Sequence, residues 1–288
     1  MNPPEMAVRP ALAAALRKAA EKTTVDDSEL AKVEYQAEVA DAMDHLSGSG
    51  ITELAEAVQS ALERRPWMVL LRGLPPEAAM AVLVAVSARL GTLVEPYRES
   101  WSRFVRSITP PKDRAVEGKF LNEFLHTDGT DWPTPNDLTC LFCVTPGAEG
   151  GLSRLTDVET VIDAVESSPN AKQAMEVATM NLPWRLSGAF GSSVHHDSIL
   201  DLEQGTIRWL RYGVTASAEV DDALVTPEIL GGTQTFERIV EGIEDVSVFG
   251  LEAGDLLILD NTRCLHARTG FADAARSNRE LLRTKVVR

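Results

Sequence analysis

The stretch GDLLILDNTRCLHARTGF, residues 254–271, decides how this chain is read. A glycine turn opens it, an aliphatic run follows, and Asp260-Asn261 closes the run. Such a short apolar run between turn residues predicts a buried strand. His266 comes just past it. A polar residue closing a buried strand is either a satisfied core histidine or a side chain aimed into a cavity, and this stretch alone does not separate the two.

The same texture extends outward from about residue 93. LVEPY, RFVRSI, KFLNEFLH, DLTCLFCV, GLSRLTD, TMNLPWRLSG, TIRWLRYGV, VSVFGL and ELLRTKVV are short apolar runs separated by turn residues. That pattern predicts a β-sandwich or barrel rather than a βαβ protein. Helical inserts are expected near 158–178 and 233–242. Upstream, residues 7–65 repeat apolar positions at spacings of three and four, which predicts helices. WMVLLRG at 67–73 reads as a buried strand, and PPEAAMAVLVAVSARLG at 75–91 as a helix with proline at its start and glycine at its end. The expected class is mainly β with flanking helices, an α+β chain.

The 288 residues carry a formal charge of −15, which opposes binding to nucleic acid or an anionic membrane surface. No apolar run reaches the length of a membrane span. The N-terminus shows no export signal, so the cytoplasm is the expected compartment. A homo-oligomer is compatible with the sequence. Three cysteines do not make a disulfide framework. Cys140 and Cys143, in the apolar run TCLFCV, would point to opposite faces of one strand and so read as core.

The histidines are His45, His126, His195, His196 and His266. His45 lies in a helical segment without a partner at ligand spacing and reads as surface. His195 and His196 are adjacent, and adjacent strand residues face opposite ways, so both cannot easily bind one ion. His126 and Asp128 differ: an i, i+2 pair on extended backbone points to one face. Alone, such a tripeptide arises often by chance. Together with His266 it completes a set of two histidines and one carboxylate, the facial triad of non-haem iron(II) oxygenases. The donors are nitrogen and oxygen with no thiolate, which suits iron better than structural zinc.

Several pieces in order resemble the taurine dioxygenase (TauD/TfdA) family and lean toward its clavaminate synthase-like branch. They are WMVLLRGLP with the following helix and LGTLVEPY, His126-Thr127-Asp128, PGAEGGLSRLTD, the 254–271 stretch, and NRELLRTKVV. The resemblance covers roughly residues 66–288. It departs from that branch in carrying Asp128 where glutamate is frequent, and His266-Ala267-Arg268 where HGR is frequent. It implies a double-stranded β-helix (jelly roll) domain over 66–288, with 1–65 a helical extension packed on it. It implies Fe(II), 2-oxoglutarate and O2 as cofactor and cosubstrates, with His126, Asp128 and His266 on the metal. It assigns Arg279 and Ser153 to the far carboxylate of 2-oxoglutarate, with Thr156 as the substitute for Ser153. Arg283 and Asn122 are assigned to the substrate. Trp101, Arg103, Asp131 and Trp132 are candidates for the pocket wall. Related halogenases have glycine or alanine at the carboxylate position, so Asp128 favours hydroxylation over chlorination. The expected activity is oxidation of a small acidic or amino-acid-like molecule, as in natural-product or secondary metabolism such as antibiotic biosynthesis. Desaturation, cyclisation or isonitrile formation would use the same ligands. A non-catalytic jelly-roll binding protein is the alternative from another class.

Overall fold

The structure, a computed structural model, describes residues 2–95, 103–110, 123–191, 193–272 and 277–288. The chain opens with β1 (Glu5–Ala7), then α1 (Pro10–Ala20), α2 (Val33–Ser47) and α3 (Gly50–Leu62). Pro10 starts α1, where its missing N–H costs nothing. Leu12, Leu16 and Ala19 follow on one buried stripe. Gly48 ends α2 at φ +66°, a left-handed conformation that glycine adopts without penalty.

Next come β2 (Met68–Arg72), α4 (Ala79–Leu90), β3 (Thr92–Leu93), β4 (Arg106–Ile108) and β5 (Leu138–Thr145). A single 3-10 turn at Pro76–Ala78 precedes α4. The next group is β6 (Ser153–Asp157), α5 (Val158–Glu166), α6 (Ala171–Thr179), β7 (Leu182–Arg185), β8 (Val194–Asp197), β9 (Leu200–Asp201) and β10 (Thr206–Ile207). The chain ends through α7 (Arg211–Thr215), α8 (Pro227–Glu241), β11 (Ser247–Phe249), β12 (Leu256–Asp260), β13 (Cys264–Arg268) and β14 (Glu280–Val287).

A large sheet runs in the order β1-β2-β12-β5-β14-β3, with β4 also on β14. Its pairs are antiparallel except β1 with β2. A smaller sheet has the order β11-β6-β13 and is antiparallel throughout. The central strands β2, β12 and β5 are buried on both faces, which is why they read as continuous apolar runs. One face, with Val69, Leu71, Cys140, Phe142, Leu256 and Ile258, packs against α1–α4. The other, with Leu70, Leu141, Cys143, Leu257 and Leu259, packs against Leu155 and Leu265 of the smaller sheet and against the α5–α8 side of the molecule. Cys140 and Cys143 therefore belong to different cores, and burial pushes each thiol up to about 11. Gln36 of α2 closes the edge at β3 by bonding both the N–H and the carbonyl of Leu93.

Three readings change. The aliphatic run of 254–271 and His266 lie on different strands: β12 sits in the large sheet, Asn261–Arg263 turn the chain, and β13 carries His266 in the smaller sheet. TIRWLRYGV keeps only Thr206–Ile207 as strand and becomes α7 at Arg211. Its buried Arg208 and Trp209 do not extend β10 but reach the 127–132 loop, through Thr130, Trp132 and Thr127. KFLNEFLH forms no strand over residues 123–125, and its earlier residues lie outside those described.

Phe142 is fully buried between β5 and the helices. Phe142→Ala should cost about 3–5 kcal/mol, because a large cavity opens where little can collapse. Urea unfolding would show this as a lower midpoint at unchanged slope. A loss below about 1 kcal/mol would contradict the packing described.

Candidate metal centre

His126 and His266 are tied by their own backbones. His126 N–H donates to the His266 carbonyl at 3.1 Å, and His266 N–H donates to the His126 carbonyl at 2.9 Å. The segment at His126 thus lines up beside β13. It is held from behind, since Glu241 accepts from Leu125 N–H at 2.6 Å and Arg154 donates to the Glu123 carbonyl at 3.0 Å. Thr127 turns away and bonds Trp209 through both backbone and hydroxyl.

Two residues on, Asp128 returns to the face of His126. Its backbone is clamped by Asn261 of the β12–β13 turn: Asp128 N–H donates to Asn261 Oδ1 at 2.7 Å, and Asn261 Nδ2 donates to the Asp128 carbonyl at 3.0 Å. Arg208 pins the following loop through the carbonyls of Thr130 and Trp132. The donor atoms of His126, Asp128 and His266 all lie within 4.8 Å of one another. No other such group of three occurs among the described residues.

Local chemistry fits a metal at this point. The His126 Nδ1–H donates to the Phe124 carbonyl at 2.7 Å, which leaves Nε2 with a free lone pair. His266 Nδ1 is buried with no hydrogen-bond partner, and its Nε2 stands 3.7 Å from Asp128 Oδ2, too far for a hydrogen bond. A buried imidazole without partners is costly unless something else satisfies it. Burial pushes both imidazoles down, His266 to about 3, so both are neutral ligands at neutral pH. Burial would push the Asp128 carboxyl up, but Arg283, Lys285 and the two imidazoles hold it well below the usual carboxylate range. Asp128 accepts from Arg283 at 3.0 Å and from Thr139 at 3.0 Å, and Lys285 Nζ stands 3.4 Å away.

The centre opens into a cavity of about 1070 Å³. Arg279, Leu281, Arg283 and Lys285 alternate along β14 and its lead-in, and all four line it. Arg279 is buried, and its guanidinium makes no hydrogen bond or ion pair among the described residues. It packs beside Phe271 at 6.0 Å from the ring centroid. Gly150 and Gly151 make room there at φ +84° and +67°. A Cβ on Gly151 would stand 2.3 Å from the Phe271 ring, and one on Gly150 2.3 Å from the Gly270 carbonyl.

Among the sequence candidates, Ser153 is buried and lines this cavity. Thr156, three positions on, faces the other side of β6 and does not line it, so it is no substitute for Ser153. Asp131 lines the wall, whereas Trp132 sits behind it under Lys285 Nζ at 4.7 Å. Arg103 is exposed and away from the cavity. Asn122 and Trp101 lie outside the described residues. His195 and His196 are on β8, away from the centre. His45 is exposed near the end of α2. Sequence reading missed Lys285, although it shares the parity of Arg283. It also missed the rim from Arg185–Gly188 and α7.

A family model described as "Taurine catabolism dioxygenase TauD, TfdA family" matches residues 37–177 and 225–285. The chain belongs to this family and is an iron(II)- and 2-oxoglutarate-dependent dioxygenase. An asparagine oxygenase, solved with Fe(II), 2S,3S-3-hydroxyasparagine and succinate, superposes with a TM-score of 0.72 at 17% identity, over 98% of this chain and 93% of that one. The non-haem iron oxygenase OrfP superposes with a TM-score of 0.70 at 15% identity, over 99% of this chain and 94% of that one. A search of curated sequences found no match. No helix among the described residues is long and apolar enough to cross a membrane.

The lowered histidine values set a pH dependence for the metal-stripped protein. Below the ordinary value of 6.5 the unfolded chain binds protons that the buried imidazoles refuse. Stability is therefore full above about 6.5 and falls as pH drops toward 3. Urea midpoints at pH 7 and pH 5 should show the loss, and His266→Gln should flatten part of the slope. Identical slopes for the two proteins would refute this burial.

Proposed function

We propose that the chain oxidises an unactivated C–H bond of a small acidic or amino-acid-like molecule, with hydroxylation as the outcome. The carrying observation is the convergence of His126, Asp128 and His266 on one buried point that opens into a cavity walled by Arg279 and Arg283. The three residues hold iron(II) on one face. Bound iron and 2-oxoglutarate supply oxygen activation coupled to oxidative decarboxylation, with succinate and carbon dioxide as co-products.

The chain's own residues divide the remaining work. Arg279 receives the far carboxylate of 2-oxoglutarate, because a buried guanidinium without a counterion is a ready receptor for one. Ser153 donates to the same carboxylate from β6. Arg283 orients Asp128 and presents its remaining N–H donors to an acidic group of the substrate. Asn122 is proposed as a further substrate contact. Asp128 fills the position that a halide would need, which favours hydroxylation.

The two sheets, with ligands on the early segment and on β13, support a double-stranded β-helix core over 66–288, with the N-terminal helices as a packed extension. The asparagine oxygenase structure holds a hydroxylated amino acid, and an OrfP structure holds (3S)-hydroxy-L-Arg. Those contents favour amino-acid-like substrates, and the branch resemblance favours secondary metabolism.

Anaerobic addition of iron(II) and 2-oxoglutarate should produce a weak charge-transfer band near ~500 nm. Asp128→Ala and His266→Ala should lose it. Arg279→Met should keep the iron but raise the half-saturating 2-oxoglutarate by about 10–100-fold, the loss of a charge-assisted pair. No band in the intact protein, with no succinate released on any substrate, would defeat the proposal.

A further inference from the structure

The chain is strongly acidic, yet its cavity wall is cationic. Arg106, Arg185, Arg268, Arg279, Arg283 and Lys285 face it, against Asp128 and Asp131. Arg185 pairs with Glu219 at 2.8 Å and Arg268 with Glu123 at 3.0 Å. Arg106 is exposed at the rim. At the centre, Arg279, Arg283 and Lys285 stand against two carboxylates. Iron(II) and dianionic 2-oxoglutarate cancel one another, so loading the site leaves its positive excess in place.

Lys285 is the unusual member. Its side chain is only 3% exposed. It has three N–H donors. Asp128 Oδ1 is its acceptor among the described residues, and the Trp132 face packs on another side. Arg283 reaches the same Asp128 oxygen from two residues away, on the same face of β14. Lys285 is buried and Arg283 half-buried, and with Arg279 they outnumber the carboxylates Asp128 and Asp131, so a positive charge is left over, which is costly at depth. Both side chains line the cavity, so a ligand anion can supply what is lacking.

We infer that Lys285 is a second anchor beside Arg283 for the acidic group of the substrate, and that the pair selects net-anionic molecules over their neutral or cationic counterparts. This rests on the oxygenase reading above and narrows its substrate class. The surrounding acidic surface does not oppose it, because a cleft focuses its own charge locally.

The test uses full-length enzyme loaded anaerobically with iron(II) and 2-oxoglutarate. The probes are L-aspartate against L-asparagine, L-glutamate against L-glutamine, and L-arginine. Binding is read by calorimetry and by the shift each probe causes in the charge-transfer band. The acids should bind at least about tenfold tighter than their amides, and L-arginine weakest. Lys285→Met should bring each acid level with its amide while keeping the band, and Lys285→Arg should restore the preference. Amides or L-arginine binding as well as the acids would overturn the inference. So would no acid binding at millimolar concentration, or a preference that survives Lys285→Met. Loss of the band in Lys285→Met would also count against it, since Lys285 would then serve Asp128 and the iron instead. Absence of the band in the unmodified protein strikes the oxygenase reading itself, whereas a normal band with amides preferred strikes only this inference.

Discussion

The mutual backbone hydrogen bonds between His126 and His266 are the constraint on which the site depends. They join residues 140 positions apart, so closing that loop carries an entropic cost that local structure cannot repay. The cost is met by the large sheet, which holds β12 and so delivers β13 after a tight turn, and by Glu241 and Arg154, which hold the approach to His126. The donor atoms meet because two strand-like segments are in register. A slip of one residue in either segment would turn its histidine away from the cavity and part the two donors.

Asp128 depends on a second layer of the same kind. Asn261 sits in the turn that connects the sheets and uses its amide to clamp the Asp128 backbone and the Asn136 carbonyl together. The residue that reverses the chain toward His266 therefore also fixes the third donor. This couples metal geometry to a surface-distant turn, and it explains why Asn261, only 1% exposed, is tolerated as a buried polar side chain: its hydrogen bonds are met.

Much of this was legible in the sequence because it is periodic. Alternation on β5 separated Cys140 from Cys143, and even spacing put His126 with Asp128 and Arg279 with Arg283. The helices before β2 and the strand at Met68–Arg72 showed their periods plainly. Two things were not legible, and one was legible but passed over. The short parallel β1 carries too few residues for a pattern. The TIRWLRYGV segment looks like strand because its apolar residues are buried, but Arg208 and Trp209 bury themselves against loops, a tertiary choice that no local period encodes. Thr156 looked like a substitute for Ser153 only until parity on β6 was applied, since three positions along a strand reverse the face.

Parity on β14 also explains why Lys285 escaped notice while Arg283 did not. Position after the distal histidine drew attention to Arg279 and Arg283. The rule that joins those two extends to 281 and 285, because nothing in Glu280–Val287 interrupts the strand itself. The bulge opposite its start lies in β5, where the partner steps from Thr145 to Cys143. The intervening positions behave as this requires: Leu282 and Val286 pack toward the helices, and the Thr284 hydroxyl meets Ser87 of α4 at 2.7 Å. One strand thus carries the stabilising contacts of the helical layer on one face and the cationic wall of the cavity on the other. Changes at 283 or 285 leave the helical face untouched, so their effects run through Asp128 and the cavity and not through the helical core.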